Sequence, residues 1–313
     1  IVFNDTDTDM QPDMVWIKCR DAAENHSLSD VIQGDATGRD GLAVLHPNTT
    51  QAEDNGAGNL YVESLDSDGF TIGANDQVNV NTKLHTSWSW KAGTTSGLSG
   101  GTITPSAYSI NTTSGFGMYG YAGNSTAGAT ITHGLGAKPG WISCKRLNDT
   151  GGWTTYNSGA GATKFAYLDL TDIFDSGSTE WNDTEPTTSV FSLGTHGTVN
   201  NSAGTYIAYE GNGNADGSFI YTGFKPAWVM CKSIDSTSSW HIFDNKREGF
   251  NPDNDTLVAE ATTVEPTTDM IDLLSNGFKF RIATDPNVAE TYAYMAFAES
   301  PFVNSNGVPN NAR

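Results

Sequence analysis

The side chains that could do chemistry are few and scattered. Of the three cysteines, Cys144 and Cys231 take apolar positions in alternating runs and read as small buried hydrophobes. Cys19 stands between Lys18 and Arg20, a setting that favours the thiolate, but no His or Asn is spaced to act as its base. The histidines at 26, 46, 85, 133, 196 and 241 occur singly, without the HExxH or HxH spacing of a zinc site. Carboxylates are abundant, yet no strand sets two of them on one face as glycosidases of sandwich fold require. Gly97-Leu98-Ser99-Gly100-Gly101 misses the GxSxG spacing, and Gly159 to Lys164 and Gly211 to Gly213 open no helix that would hold a phosphate, so all three read as turns. The acidic runs Asp5, Asp7, Asp9, Asp13 and Asn251 to Asp255 offer oxygens to calcium but lack the glycine and closing glutamate of an EF-hand loop. They read as solvated turns, and no cofactor is expected. There remain the aromatics Trp141, Trp153, Trp228 and Trp240, which would stack on sugar rings if solvent-facing and build a core if not. Because they recur at matched places, core packing is the simpler reading.

What positions these residues is an internal repeat. Pro12-Asp13-Met14-Val15-Trp16-Ile17-Lys18 aligns without gaps to Pro139-Gly140-Trp141-Ile142-Ser143-Cys144-Lys145 and to Pro226-Ala227-Trp228-Val229-Met230-Cys231-Lys232. Eight residues past each Lys stands His26, Trp153 or Trp240, and twelve past it Asp30, Asn157 or Asp244. Further on, Phe70, Phe191 and Phe278 open a second match, followed about eighteen residues later by Trp88, Tyr209 or Phe297. Three diverged copies of one unit are therefore expected. Val15/Ile17, Ile142/Cys144 and Val229/Cys231 put apolar side chains on one face at period two, so each motif is a strand with that face inward. The opposite face, Trp141/Ser143/Lys145 and Trp228/Met230/Lys232, reads as half-covered by a neighbouring loop or unit.

Short alternating runs such as Trp153 to Tyr156, Phe165 to Leu170 and Trp240 to Phe243 continue the pattern between Gly, Asn, Asp and Ser turns. Helix signals are thin. The best, Leu28 to Ile32, Thr171 to Phe174 and Met270 to Leu274, span a turn or two and could equally be strand ends. The expected fold is all-β, as antiparallel β-sandwich-like modules. The units are placed at 1–92, 119–209 and 210–303, with a Gly/Ser/Thr-rich β insertion at 93–118 and a tail at 304–313. Tyr121-Ala122-Gly123-Asn124 and Tyr209-Glu210-Gly211-Asn212 lead into the second and third units. The first lacks this lead-in, so the visible start is expected to fall inside a module of a longer polypeptide.

Thirty-six acidic against sixteen basic residues leave a net charge of −20. That field repels nucleic acid and anionic membrane surfaces, and neither is expected as a partner. No apolar run approaches the roughly 18 residues needed to cross a bilayer as a helix, and three cysteines make no disulfide framework.

The motif Pro12 to Lys18, the lead-in at Tyr121, Gly134-Leu135-Gly136-Ala137-Lys138-Pro139 and the closing Thr291 to Glu299 together resemble a domain family of unknown function in tailed bacteriophages, especially marine ones. The resemblance covers nearly the whole chain and carries no catalytic motif. It implies a non-enzymatic virion protein, a tail fibre or appendage or a capsid decoration, that contacts other virion proteins and assembles as a homo-oligomer such as a trimer. Two other functions are weighed. A lectin-like module would bind a host-surface glycan through exposed aromatic pairs. A secreted glycoside hydrolase would need two carboxylates about 5 to 9.5 Å apart in a cleft.

Overall fold

The computed structural model describes residues 1–2, 10–33, 42–54, 61–93, 95–211, 219–247, 251 and 255–298. The protein is nearly all β, 40% strand and 3% helix, with several antiparallel sheets in a sandwich-like arrangement. Each motif strand lies inside a sheet of its own. Met14–Cys19 is flanked by Ser27–Asp30 and His85–Trp90. Trp141–Arg146 is flanked by Thr154–Asn157 and Thr205–Gly211, and Pro226–Ser233 by His241–Asp244 and Tyr292–Ala298. Over each of these sheets lies a smaller one. It is Val62–Asp66 with Gly69–Ile72 in the first repeat and Ala129–Thr132 with Val190–Leu193 in the second. In the third it is Phe219–Tyr221, Gly277–Phe280 and Ile271–Leu274.

Strand alternation decides where the cores sit. One side of each motif strand meets the overlying sheet. Val15 and Ile17 pack with Val62 and Phe70, Ile142 and Cys144 with Ile131 and Phe191, and Val229 and Cys231 with Ile220 and Phe278. The other side is not half-covered. It enters a fourth core shared by all three repeats, where Met14, Trp16, Trp88, Trp141, Trp153, Trp228, Met230 and Trp240 come together. A strand buried on both faces loses the hydrophobic-in, polar-out pattern, so Lys18, Lys145 and Lys232 are fully buried as well.

Several expectations need correction. The insertion does contain strands, Ala107–Asn111 and Phe116–Ala122, but these extend the sheet of the second repeat. Phe116–Ala122 pairs along its whole length with Thr205–Gly211. A boundary at 118 therefore cuts one strand, and a boundary at 209 cuts the other. Ser27–Asp30 and Ile271–Leu274 take the strand alternative left open above, and the helices among the described residues are Asp76–Asn79 and Ser178–Trp181. At four residues each, these are too short to show helical periodicity, and the first is held by the Asn75 side chain accepting from the Gln77 amide.

Register also reassigns one aromatic. Trp16, Ser143 and Met230, each two residues before a repeat lysine, pair with Trp88, Tyr209 and Met295. The counterpart of Trp88 and Tyr209 is thus Met295, and Phe297 pairs instead with Trp228.

Candidate functional site

The residues that mark the repeat meet where the three repeats join. Pro12, Pro139 and Pro226 are buried at the heads of their strands. Each repeat lysine then crosses to a neighbouring repeat. Lys145 Nζ donates to Gly151 O at 2.6 Å within its own repeat and to Thr50 O of the first repeat at 3.1 Å. Lys232 Nζ donates to Ser238 O and to Thr171 O of the second repeat, the latter at 2.9 Å. Lys18 Nζ donates to Cys19 O at 2.6 Å and to Thr262 O of the third repeat at 3.4 Å. The second repeat reaches the first, the third the second, and the first the third, so the ties close a ring. Burial holds Lys145 and Lys232 at about 8 and also lowers Lys18. Among the described residues no carboxylate bonds these ammonium groups; their partners are main-chain carbonyls.

A second ring of bonds follows the same order. Trp153 Nε1 donates to His46 O and Trp240 Nε1 to Tyr167 O, in each case four residues before the threonine that receives the lysine. The first repeat has His26 at this place. Trp16 Nε1 donates to His26 Nδ1 at 2.8 Å, which leaves the ring proton on Nε2 facing Val258 O at 3.0 Å. His26 thus does with an imidazole N–H what the two tryptophans do with an indole N–H. Burial pushes its pKa down to about 3, so it remains neutral and is no proton shuttle near neutral pH.

Asp30, Asn157 and Asp244 form a third set. Asp30 Oδ1 accepts the amides of Ile32 and Gln33, Asp244 Oδ1 those of Lys246 and Arg247, and Asn157 Oδ1 that of Gly159. The other oxygen of each aspartate receives a donor from another repeat: Tyr209 Oη reaches Asp30 Oδ2 and Trp88 Nε1 reaches Asp244 Oδ2. The corresponding strand position in the third repeat is Met295, which has no N–H or O–H, and the second repeat carries the amide Asn157 where the other two carry an acid.

The four tryptophans weighed as sugar platforms are 1 to 4% exposed or fully buried. They face other rings, Trp141 against Trp240 with centroids 5.3 Å apart and Trp228 against Trp88 at 6.3 Å, and none presents a face to solvent. Trp153 stacks on Tyr209 at 6.1 Å. Cys19 ends its strand as a buried thiol. Burial raises its pKa despite the adjacent Lys18, whose ammonium is turned toward carbonyls, and Cys144 is pushed up to about 12.

One grouping looks like a catalytic triad. Asp285 accepts from Ser238 Oγ at 2.8 Å and lies 3.0 Å from His241 Nε2. The order is wrong for activating a nucleophile, because the carboxylate and not the imidazole sits between the other two. Among the described residues, no three His, Cys, Asp or Glu side chains are placed to hold a metal, and no helix is long and apolar enough to cross a membrane. Asp13, in the first acidic run, accepts from the Ala92 amide and pairs with Lys91; Asp5, Asp7, Asp9, Asp253, Asn212 and the 304–313 tail lie outside the described residues.

A family model described as "Domain of unknown function (DUF7483)" matches residues 4–301. The chain belongs to this family. No curated protein and no solved structure matches it.

In this DUF7483 chain the repeat-marking polar groups are bonded to one another's repeats, and that arrangement holds parts in register. Its strength can be measured at the Asp30 tie. Burial raises Asp30 to about 6 even though Tyr209 and two amides favour the charged form. Tyr209→Phe is expected to destabilise by about 1.5–3 kcal/mol in urea unfolding, the range for a bond to a charged group. In a double-mutant cycle with Asp30→Asn the two changes should be strongly non-additive. Additive effects would mean that the two side chains are not energetically coupled.

The sequence spacing did not reveal the receiving carbonyls. Thr50, Thr171 and Thr262 follow their own lysines at unequal distances, and a backbone acceptor leaves no mark on residue type. Their shared identity as threonine was the one available signal.

Proposed function

We propose that the chain is a non-enzymatic structural component of a bacteriophage virion, exposed on the particle surface as a tail fibre, appendage or capsid decoration. The observation that carries the structural part of this reading is the closed ring of lysine ties. Three buried cations, each bonded to its own repeat and to the next, are a device for rigidity and have no open face on which chemistry could occur. The phage part rests on the motifs quoted above, and the net charge of −20 suits a particle that remains dispersed in salty water. Other virion proteins, and further copies of this chain in a homo-oligomer, are the partners this reading implies.

Cryo-electron microscopy of the source particle, with mass spectrometry of its purified proteins, tests the proposal. Density for the chain on the capsid lattice would make it a decoration protein, and density at the tail would assign it to adsorption. Recovery of the chain only from the particle-free supernatant would overturn the reading in favour of a secreted binding protein.

A further inference from the structure

The three sandwiches are closed differently after their second matched strand. Eight residues beyond Phe70 and Phe191, Val78 and Val199 enter their cores, at 2% and 0% exposure. The equivalent residue in the third repeat is Pro286, and the nearby Val288 stands 38% exposed. Among the described residues no valine plugs this sandwich, and the buried Pro286 takes that place. Ile220, Phe280 and Tyr294 are 6 to 8% accessible, against 0% for their second-repeat counterparts Ile131, Leu193 and Ala208, while the first-repeat counterparts Leu65 and Ile72 are also only partly buried. The space left is a cavity of about 560 Å³, within the range of small-molecule sites.

Its chemistry is one-sided. Ile220, Phe278, Phe280 and Tyr294 make an apolar, largely aromatic floor, and the exposed Asp235 and Glu290 line it with carboxylates, Asp235 Oδ2 accepting the Thr291 amide at 2.6 Å; among the described residues no Lys, Arg or His lines it. We infer that this cavity is a binding site for a small ligand with an apolar or aromatic body and a cationic amine head. The body replaces the missing valine plug against the aromatic floor, and the ammonium meets the carboxylates at the lip, with ring faces adding cation–π attraction. An anion would meet these two carboxylates and is rejected. Glu290 is steadied for this role: its Oε2 accepts from Ser233 Oγ at 2.6 Å and Ser236 Oγ at 2.7 Å. The inference is independent of the virion reading, because it rests on the third repeat alone.

Isothermal titration of the intact protein with three probes of one shape tests it: 2-phenylethylammonium, 2-phenylethanol and 3-phenylpropionate. The ammonium should bind saturably with one site, about tenfold more tightly than the alcohol, and the propionate should not bind. Glu290→Gln should remove most of that tenfold preference and leave the alcohol unchanged, because glutamine can still accept from both serines. Asp235→Asn is the second variant should the first not fold, with folding checked by circular dichroism. Equal affinity for ammonium and alcohol would overturn the cationic assignment. Ammonium uptake that is unsaturable and unaffected by either variant would reduce it to counter-ion binding by an acidic surface. Binding of methyl glycosides in place of all three probes, or of nothing, would overturn it outright.

Discussion

Replacing Lys232 by Met is expected to lower the unfolding free energy by about 1–2 kcal/mol at pH 7. The methionine fills similar space but leaves Ser238 O without its donor, while Thr171 O keeps the Ser238 amide at 3.0 Å; an orphaned carbonyl costs roughly 1–3 kcal/mol, partly offset because a desolvated cation is also removed. Lys145→Met should behave alike through Gly151 O, with Thr50 O keeping the Gly151 amide at 2.8 Å. Titration separates this from a simple packing defect. Both lysines have folded pKa values of about 8 against an ordinary 10.5. Between those values the unfolded chain binds more protons than the folded one, so stability rises with pH over that window. The gap between wild type and variant should therefore widen from pH 7 to pH 9.5, by on the order of 1–2 kcal/mol per lysine, as the neutral amine keeps donating without the desolvation penalty of its charge. Urea unfolding at the two pH values reads this directly. A gap that stays constant would show these amines to be hydrated, and unchanged stability in both variants would remove the ring of ties as a stabilising device.

Glu210→Gln is expected to act in the opposite direction and stabilise the protein. Glu210 is 1% exposed, and no donor from the described residues reaches either carboxylate oxygen. Its aligned neighbours in the other repeats are Ser89 and Ala296, neither of which ionises. Burial raises its pKa well above the ordinary 4.5. A carboxyl with a raised folded pKa costs nothing below its unfolded pKa and costs progressively more as pH climbs toward the folded one. Relative to wild type, the glutamine variant should gain stability as pH rises from about 5, with a slope of up to about 1.4 kcal/mol per pH unit. Denaturant unfolding from pH 4.5 to 8 checks the slope. A flat difference would mean that Glu210 has a solvated or bonded carboxylate.

The motif strands were legible because alternation and a flanking proline are local signals. Val15/Ile17, Ile142/Cys144 and Val229/Cys231 had to face inward, and they do. The outer face was harder to read. Ser143 and Lys145 look like surface residues until another repeat covers them, and burial by a distant segment leaves no periodic trace. For the same reason packing of Trp141, Trp153, Trp228 and Trp240 was favoured over sugar stacking by their recurrence at matched places and not by any local pattern. The match of Phe297 to Trp88 and Tyr209 failed because the third repeat is one residue shorter between Phe278 and Met295, and hydrogen-bond register, not residue class, sets equivalence.

Alone, the sequence determined an all-β chain of three related units, and it located the lysine, the aromatic or His at the next matched place, and the Asp or Asn after it. Those follow from side-chain period and composition, which act over a few residues. Only the tertiary structure decided that these positions are interlocked in a ring, that His26 substitutes for an indole, and that the third sandwich is left open. Each depends on which backbone carbonyl or apolar plug a remote loop delivers, and residue types do not encode that at fixed spacing.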